Sequence, residues 1–220
     1  MPHRSSPNAF GSLRVRAPLV MPGQRIGVMG GSFNPAHDGH RIVAETAVKR
    51  LRLDQLWWVV TPGNPLKSNA ELPAQAARMS KARSYARGPH MKITGFEAEL
   101  GTPYTAATLA FLKRRHAGIR FVWVMGADNL ASFHRWQHWR AIARTMPIAV
   151  VDRPGWRMKA LASPAAAALR SSRIPEARAA RLPALTSPAW TFLTSRLSPL
   201  SSTTLRTTPA AKAQTKSSAR

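Results

Sequence analysis

Gly30-Gly31-Ser32-Phe33-Asn34-Pro35-Ala36-His37-Asp38-Gly39-His40 decides the fold of this 220-residue chain. A short apolar run, Ile26-Gly27-Val28-Met29, stands before it and reads as a buried strand. An amphipathic run from Ile42 through Val48 to Leu51 follows it and reads as a helix. A glycine-rich turn between strand and helix aims backbone N–H groups at whatever sits over the helix start, an anion-binding arrangement suited to a polyphosphate. Within the turn, Pro35 sets the approach and Gly39 permits close backbone contact. His37 and His40 lie three residues apart and can both face the anion. An imidazole with an ordinary pKa of about 6.5 can donate hydrogen bonds to phosphoryl oxygens at neutral pH. A metal pair is the competing reading, but the turn offers only Asp38 as a nearby third ligand, so a phosphate role is favoured.

Outward from this turn, apolar strand-like runs alternate with helical ones. The pattern predicts strands over 25–29, 55–61, 90–96, 120–125 and 147–151, with helices over 40–51, 74–86, 105–116 and 136–143 between them. Pro62-Gly63-Asn64-Pro65 breaks the second strand into a loop, and Gly126-Ala127-Asp128 opens a turn after the fourth. After Val151 the pattern weakens, leaving a helix over 165–171, a strand over 190–194 and a helix over 200–207. This order predicts an α/β fold: a single Rossmann-like domain with a doubly wound parallel sheet and helices on both faces. The turn at Gly30, the loop at Thr61 and the turn at Gly126 then share the carboxyl edge of the sheet, where such folds bind ligands. The domain is expected over 24–207, between a disordered basic extension over 1–23 and a disordered basic tail over 208–220.

Thirty-three Lys and Arg stand against nine Asp and Glu, a formal charge of +24. Such a balance suits polyanionic partners. Arginine and alanine abundance from a GC-rich genome would produce the same excess, and zinc spacings, RRM aromatics and KH-type loops are missing. Nucleic acid is therefore expected only as an incidental polyanion. The chain has no cysteine, which excludes disulfides and thiolate metal sites. It has no apolar run long enough for a membrane span and no secretory apolar region near its start, so a cytoplasmic protein is expected.

The eleven-residue turn resembles the H-x-G-H signature of the Rossmann-like nucleotidyltransferases. Within that superfamily it is most similar to the bacterial nicotinate-nucleotide adenylyltransferases, whose form is GG(S/T)F(D/N)PxHxGH. Leu200-Ser201-Ser202-Thr203-Thr204-Leu205-Arg206 resembles the late motif of the same family, (I/L)S(S/A)TxxR. The resemblance covers roughly residues 24–206. It implies catalysis by His37 and His40, with ATP held by Gly30, Gly31, Ser32, Phe33 and Gly39. It also implies that Ser201, Thr203 and Arg206 grip the β- and γ-phosphates.

Three further segments resemble the acceptor side of that family. Thr61-Pro62-Gly63-Asn64-Pro65-Leu66-Lys67 would supply Lys67 as a cation, although a plain surface lysine is as good a reading. Pro103-Tyr104-Thr105-Ala106-Ala107-Thr108-Leu109 would bring Thr105 near the nicotinate moiety, with Ala107 standing where the family has Asp. Gly126-Ala127-Asp128-Asn129-Leu130, with Phe133 and Trp136, would let Asp128 orient a ribose and Trp136 stack on a cationic pyridine ring. Trp123, Trp139 and Trp190 read instead as core. Arg153, in Asp152-Arg153-Pro154-Gly155, matches a loop of the family with less weight. The implied reaction transfers AMP from ATP to nicotinate mononucleotide, with Mg²⁺ travelling on the ATP phosphates and no metal site in the protein. A sister adenylyltransferase acting on nicotinamide mononucleotide or phosphopantetheine, and a basic nucleic-acid-binding module, remain alternatives. Oligomeric state is not legible.

Overall fold

The computed structural model describes residues 15–63, 72–101 and 104–195. Six parallel strands form one sheet: β1 (Arg25–Gly31), β2 (Gln55–Val60), β3 (Met91–Thr94), β4 (Arg120–Gly126), β5 (Ile148–Val151) and β6 (Trp190–Leu193). Their spatial order is β3-β2-β1-β4-β5-β6, so the chain reverses direction of winding between β1 and β4. That reversal opens a crevice beyond the carboxyl ends of the two central strands, next to the Gly30 turn.

The strands read as continuous apolar runs because helices cover both faces. Trp57 and Trp58, adjacent in β2, are both fully buried and serve opposite faces. On one face Ile26, Val28, Trp57, Phe121, Trp123 and Val150 meet α4 (Thr105–Arg115), α5 (Ala127–Ser132) and α6 (Trp139–Thr145). On the other Leu56, Trp58, Val60, Val122, Val124 and Val151 meet α1 (Asp38–Leu51). The sheet thus buries two apolar layers, and the large β2 aromatics fix its register from both sides.

Elements foreseen from periodicity within the described residues occur within a few residues of their expected positions. Three corrections carry physical content. The helix after β1 starts at Asp38 rather than residue 40, because His37 caps it. Trp136 is not helical: it lies in extended backbone after a 3₁₀ turn over Phe133–Arg135, and α6 begins only at Trp139, after His138 at φ 54°. The Gly126 segment is not a free turn, since Ala127 starts α5 directly. Besides α5 and the 3₁₀ turn before Trp136, three short elements were not foreseen: α3 (Glu97–Leu100), α7 (Arg157–Leu161) and a 3₁₀ run over Glu176–Ala184. The expected 165–171 helix divides into α8 (Pro164–Ala168) and a 3₁₀ turn at Arg170–Ser172.

Residues 15–23, read from sequence as part of an extension, lie against the domain. Val15 is buried in the first core layer, the Arg16 N–H donates to the Glu99 carboxylate at 2.8 Å, and Gln55 donates to the Leu19 carbonyl at 3.1 Å. Among the described residues, no helix is long and apolar enough to cross a membrane.

Ala107 has a measurable consequence. Helix α4 has no side-chain cap on Tyr104 and no acid in its first turn, and Ala107 is exposed there. Ala107→Asp places a carboxylate at the positive end of the helix, which contributes about 0.5–1 kcal/mol. The expected result is a Tm raised by about 2 °C in thermal unfolding.

Candidate active site

The ladder from β1 to β2 runs through Gly30 opposite Val59 and Gly31 opposite Val60. Gly30 must lack a side chain, because a Cβ there would lie 2.6 Å from the ring of Trp123 on β4. Phe33 follows at φ 47°, a left-handed conformation that is costly for a bulky residue. Burial holds it: its ring stacks on Trp58 at 5.1 Å and meets the His40 ring at 4.9 Å. Phe33 thereby swings the chain back over the sheet edge and delivers His37 to the start of α1.

His37 is the N-cap of α1. Its Nδ1 accepts a hydrogen bond from the Gly39 N–H at 3.0 Å. An accepting Nδ1 leaves the proton of the neutral ring on Nε2, so the cap also selects the tautomer. The His40 ring lies 4.0 Å from that of His37, centroid to centroid. Burial is the main cause that lowers the His37 pKa to about 4, and the positive charge of Arg153 adds to it. His40 is pushed well below the ordinary imidazole range, first by burial, then by His37 and Arg153. Both rings are therefore uncharged at neutral pH, and act as N–H dipoles rather than cations. The Nδ1 of His40 is buried with no hydrogen-bond partner among the described residues.

Arg153 reaches this centre from the loop after β5, next to the Gly126 end of β4. Its Nε lies 3.7 Å from Oδ1 of Asp128, in the first turn of α5. Gly126 keeps that approach open, since a Cβ there would collide with Asp128 and lie 2.8 Å from Arg153. The neighbouring carboxylate, Asp152, is buried and held by Arg157 and by the Arg153 N–H at 2.9 Å. Trp136 is partly buried, edge-on to Phe133 at 5.5 Å and to Trp123 at 6.5 Å. Trp123 thus links the Gly30 turn to the Trp136 wall. Trp123, Trp139 and Trp190 are buried, in keeping with a core role.

Thr105 is the first residue of α4 and is half-buried. The fold brings His37, His40, the glycine turn, Arg153, Asp128 and Trp136 to one end of the sheet. Lys67, Ser201, Thr203 and Arg206 lie outside the described residues, as do the helix expected over 200–207 and the tail from 208. Two contributors were missed in the sequence. Glu97 is buried and accepts a hydrogen bond from the Thr108 hydroxyl at 2.7 Å, and burial raises its pKa. Arg78 is buried under the Gly30 turn. It lies on α2 (Gln75–Tyr85), on the face of the buried Ala82.

Two uncharged imidazoles over a helix start, beside one arginine, form an arrangement that can stabilise phosphate by position and charge without covalent attack, and the sheet order puts it at the edge where folds of this kind bind ligands. The fold is that of a nucleotidyltransferase. The chain belongs to the cytidylyltransferase-like family, whose model matches residues 28–208. It is 55% identical over 181 residues to a probable nicotinate-nucleotide adenylyltransferase of Rhizobium meliloti, covering 82% of this chain and 96% of the relative. A protein of the same description from Methylorubrum extorquens is 52% identical over 183 residues, covering 83% and 99%. Among solved structures, nicotinic acid mononucleotide adenylyltransferase of Plasmodium falciparum in complex with NaAD shares the fold, at a TM-score of 0.62 and 15% identity over 83% of this chain and 82% of that one.

Proposed function

We propose that the chain transfers AMP from ATP to nicotinate mononucleotide, forming nicotinate adenine dinucleotide and pyrophosphate. One observation carries the chemistry: the capped, neutral His37 packed on His40 at the start of α1. An oxygen of the acceptor's 5′-phosphate attacks the α-phosphorus of ATP. A new P–O bond forms, the bond from the α-phosphorus to the bridging oxygen breaks, and pyrophosphate leaves with that electron pair. The attacking oxygen is already anionic, so no protein nucleophile or general base is required.

The Nε2–H of His37 and the ring of His40 stabilise charge on the α-phosphoryl oxygens and the leaving group. Gly30, Gly31, Ser32, Phe33 and Gly39 shape the cradle. Arg153 adds positive charge on the same side, and Asp128, Thr105 and Trp136 form the acceptor pocket. Lys67 is assigned to the acceptor side, and Ser201, Thr203 and Arg206 to the β- and γ-phosphates, on their motifs alone. Asp38, Asp128 and Asp152 are engaged by Arg41, Arg153 and Arg157, and no cluster of three His, Asp or Glu side chains occurs among the described residues. That donor set suits Mg²⁺ carried on the ATP phosphates, where it would neutralise charge on the leaving pyrophosphate.

The test is pyrophosphate release from ATP with nicotinate mononucleotide, nicotinamide mononucleotide and phosphopantetheine compared side by side. The highest kcat/KM is expected with the first. A higher value with either of the others reassigns the acceptor. No release with any, together with salt-sensitive binding to nucleic acid, overturns the enzyme reading.

A further inference from the structure

Beyond Gly31 and Val60, β1 and β2 stop pairing, and their carbonyls lose ladder partners. A buried carbonyl needs a donor from elsewhere. Helix α2 supplies it from one face. Gln75 Nε2 donates to the carbonyls of Val60 at 2.6 Å and Gly95 at 3.2 Å. One turn later, Arg78 Nη1 donates to Ser32 at 2.7 Å and to Thr61 at 2.8 Å, and Nη2 to Pro62 at 3.3 Å. Its Nε donates to Pro73, just ahead of the helix, at 2.8 Å. Four of the bonds a guanidinium fork can make are thus spent on backbone carbonyls, and no ion pair of Arg78 occurs among the described residues. Arg78 is 3% exposed. A buried cation without a carboxylate is costly and calls for a reason beyond packing.

We infer that Arg78 is a positioning residue that locks the Ser32 end of the histidine turn to the Thr61–Pro62 loop, so that the ATP half and the acceptor half of the site are held as one body. Ser32 leads directly into Phe33 and the histidines, and Thr61 opens the loop whose motif belongs to the acceptor side, its hydroxyl donating to the Gly63 carbonyl at 2.6 Å. A shift at this clasp would displace both reactants relative to each other. The effect differs from simple loss of stability, because it separates two halves that each remain folded. Lysine cannot replace it: a single ammonium cannot span carbonyls on three segments as a planar fork does.

The inference rests on the proposed reaction, and the experiment keeps the two apart. Steady-state pyrophosphate release is measured for wild type, Arg78→Ala and Arg78→Lys with each substrate varied, beside Tm and far-UV circular dichroism. Both variants are expected to lose about 10²-fold in kcat/KM for the mononucleotide, the scale of a small misplacement of reacting groups. Loss should appear in KM for the acceptor as well as in kcat, in protein that is folded at the assay temperature. Added guanidinium chloride at millimolar concentration should restore part of the Arg78→Ala activity, and not that of Arg78→Lys. Wild-type kinetics in Arg78→Lys overturn the clasp. So does a loss that follows the unfolded fraction at unchanged KM with no guanidinium response. If Arg78→Ala does not fold, the Arg78→Lys kinetics decide. Absence of turnover in wild type overturns the reaction instead.

Discussion

His40→Ala is expected to lower kcat by about 10³-fold, the scale seen when one preorganised donor to a transition state is removed. KM for ATP should change far less, because the backbone cradle and the helix start remain. The variant is a cleaner probe than His37→Ala. His37 caps α1, so its removal also costs about 1 kcal/mol of helix stability. His40 caps nothing and gives up ring contacts with Phe33, His37 and Trp58. Unchanged circular dichroism with collapsed turnover is the expected pair of results, and near-normal turnover would remove His40 from the catalytic assignment.

Arg153→Met is the second large effect. Arg153 lowers the pKa of both histidines, so its loss raises them. The rise for His37 should stop short of the ordinary 6.5, because burial is the larger cause and persists. Imidazole titration by NMR should show the His37 midpoint moving up from about 4, with a fall in kcat of about 10²-fold from the lost charge. The same shift governs acid stability. The unfolded chain binds the His37 proton near 6.5 and the folded chain only near 4, so stability is full above pH 6.5 and is lost as pH falls toward 4. Arg153→Met narrows that window and should flatten the dependence of Tm on pH. A His37 midpoint that stays in place would show that Arg153 does not act on it.

The strands and the turn were legible because both depend on local chemistry. Apolar runs such as Leu56–Val60 mark strands covered on two faces, and a glycine pair before a helix marks the anion cradle. Trp136 was misplaced because its spacing with Trp139 and Ala143 is helical, and nothing in His138 announces a left-handed residue that delays the helix. Arg78 was missed for a different reason. Helix α2 carries Arg78, Lys81 and Arg83, and periodicity alone does not tell which cation turns inward. Its role depends on carbonyls left over where two strands diverge, which is a property of the assembled sheet. The capping role of His37 was equally hidden, since histidine is an uncommon cap.

Each acidic side chain among the described residues already has a partner. Asp38 and Glu45 hold Arg41, Asp54 holds Arg25, Asp128 holds Arg153, Asp152 holds Arg157 and Glu176 holds Arg50, while Glu97 and Glu99 meet Thr108 and the Arg16 N–H. Nine carboxylates cannot neutralise thirty-three Lys and Arg, so the chain keeps a large positive excess, +24 in formal charge. ATP and a mononucleotide are both polyanions, and they approach a molecule whose far field attracts them before any contact forms. Encounter is then faster than free diffusion into a neutral cleft would allow, and it slows as salt shortens the reach of that field. Capture of both substrates is thus a property of the whole surface, while the turn at Gly30 only has to hold what the field delivers.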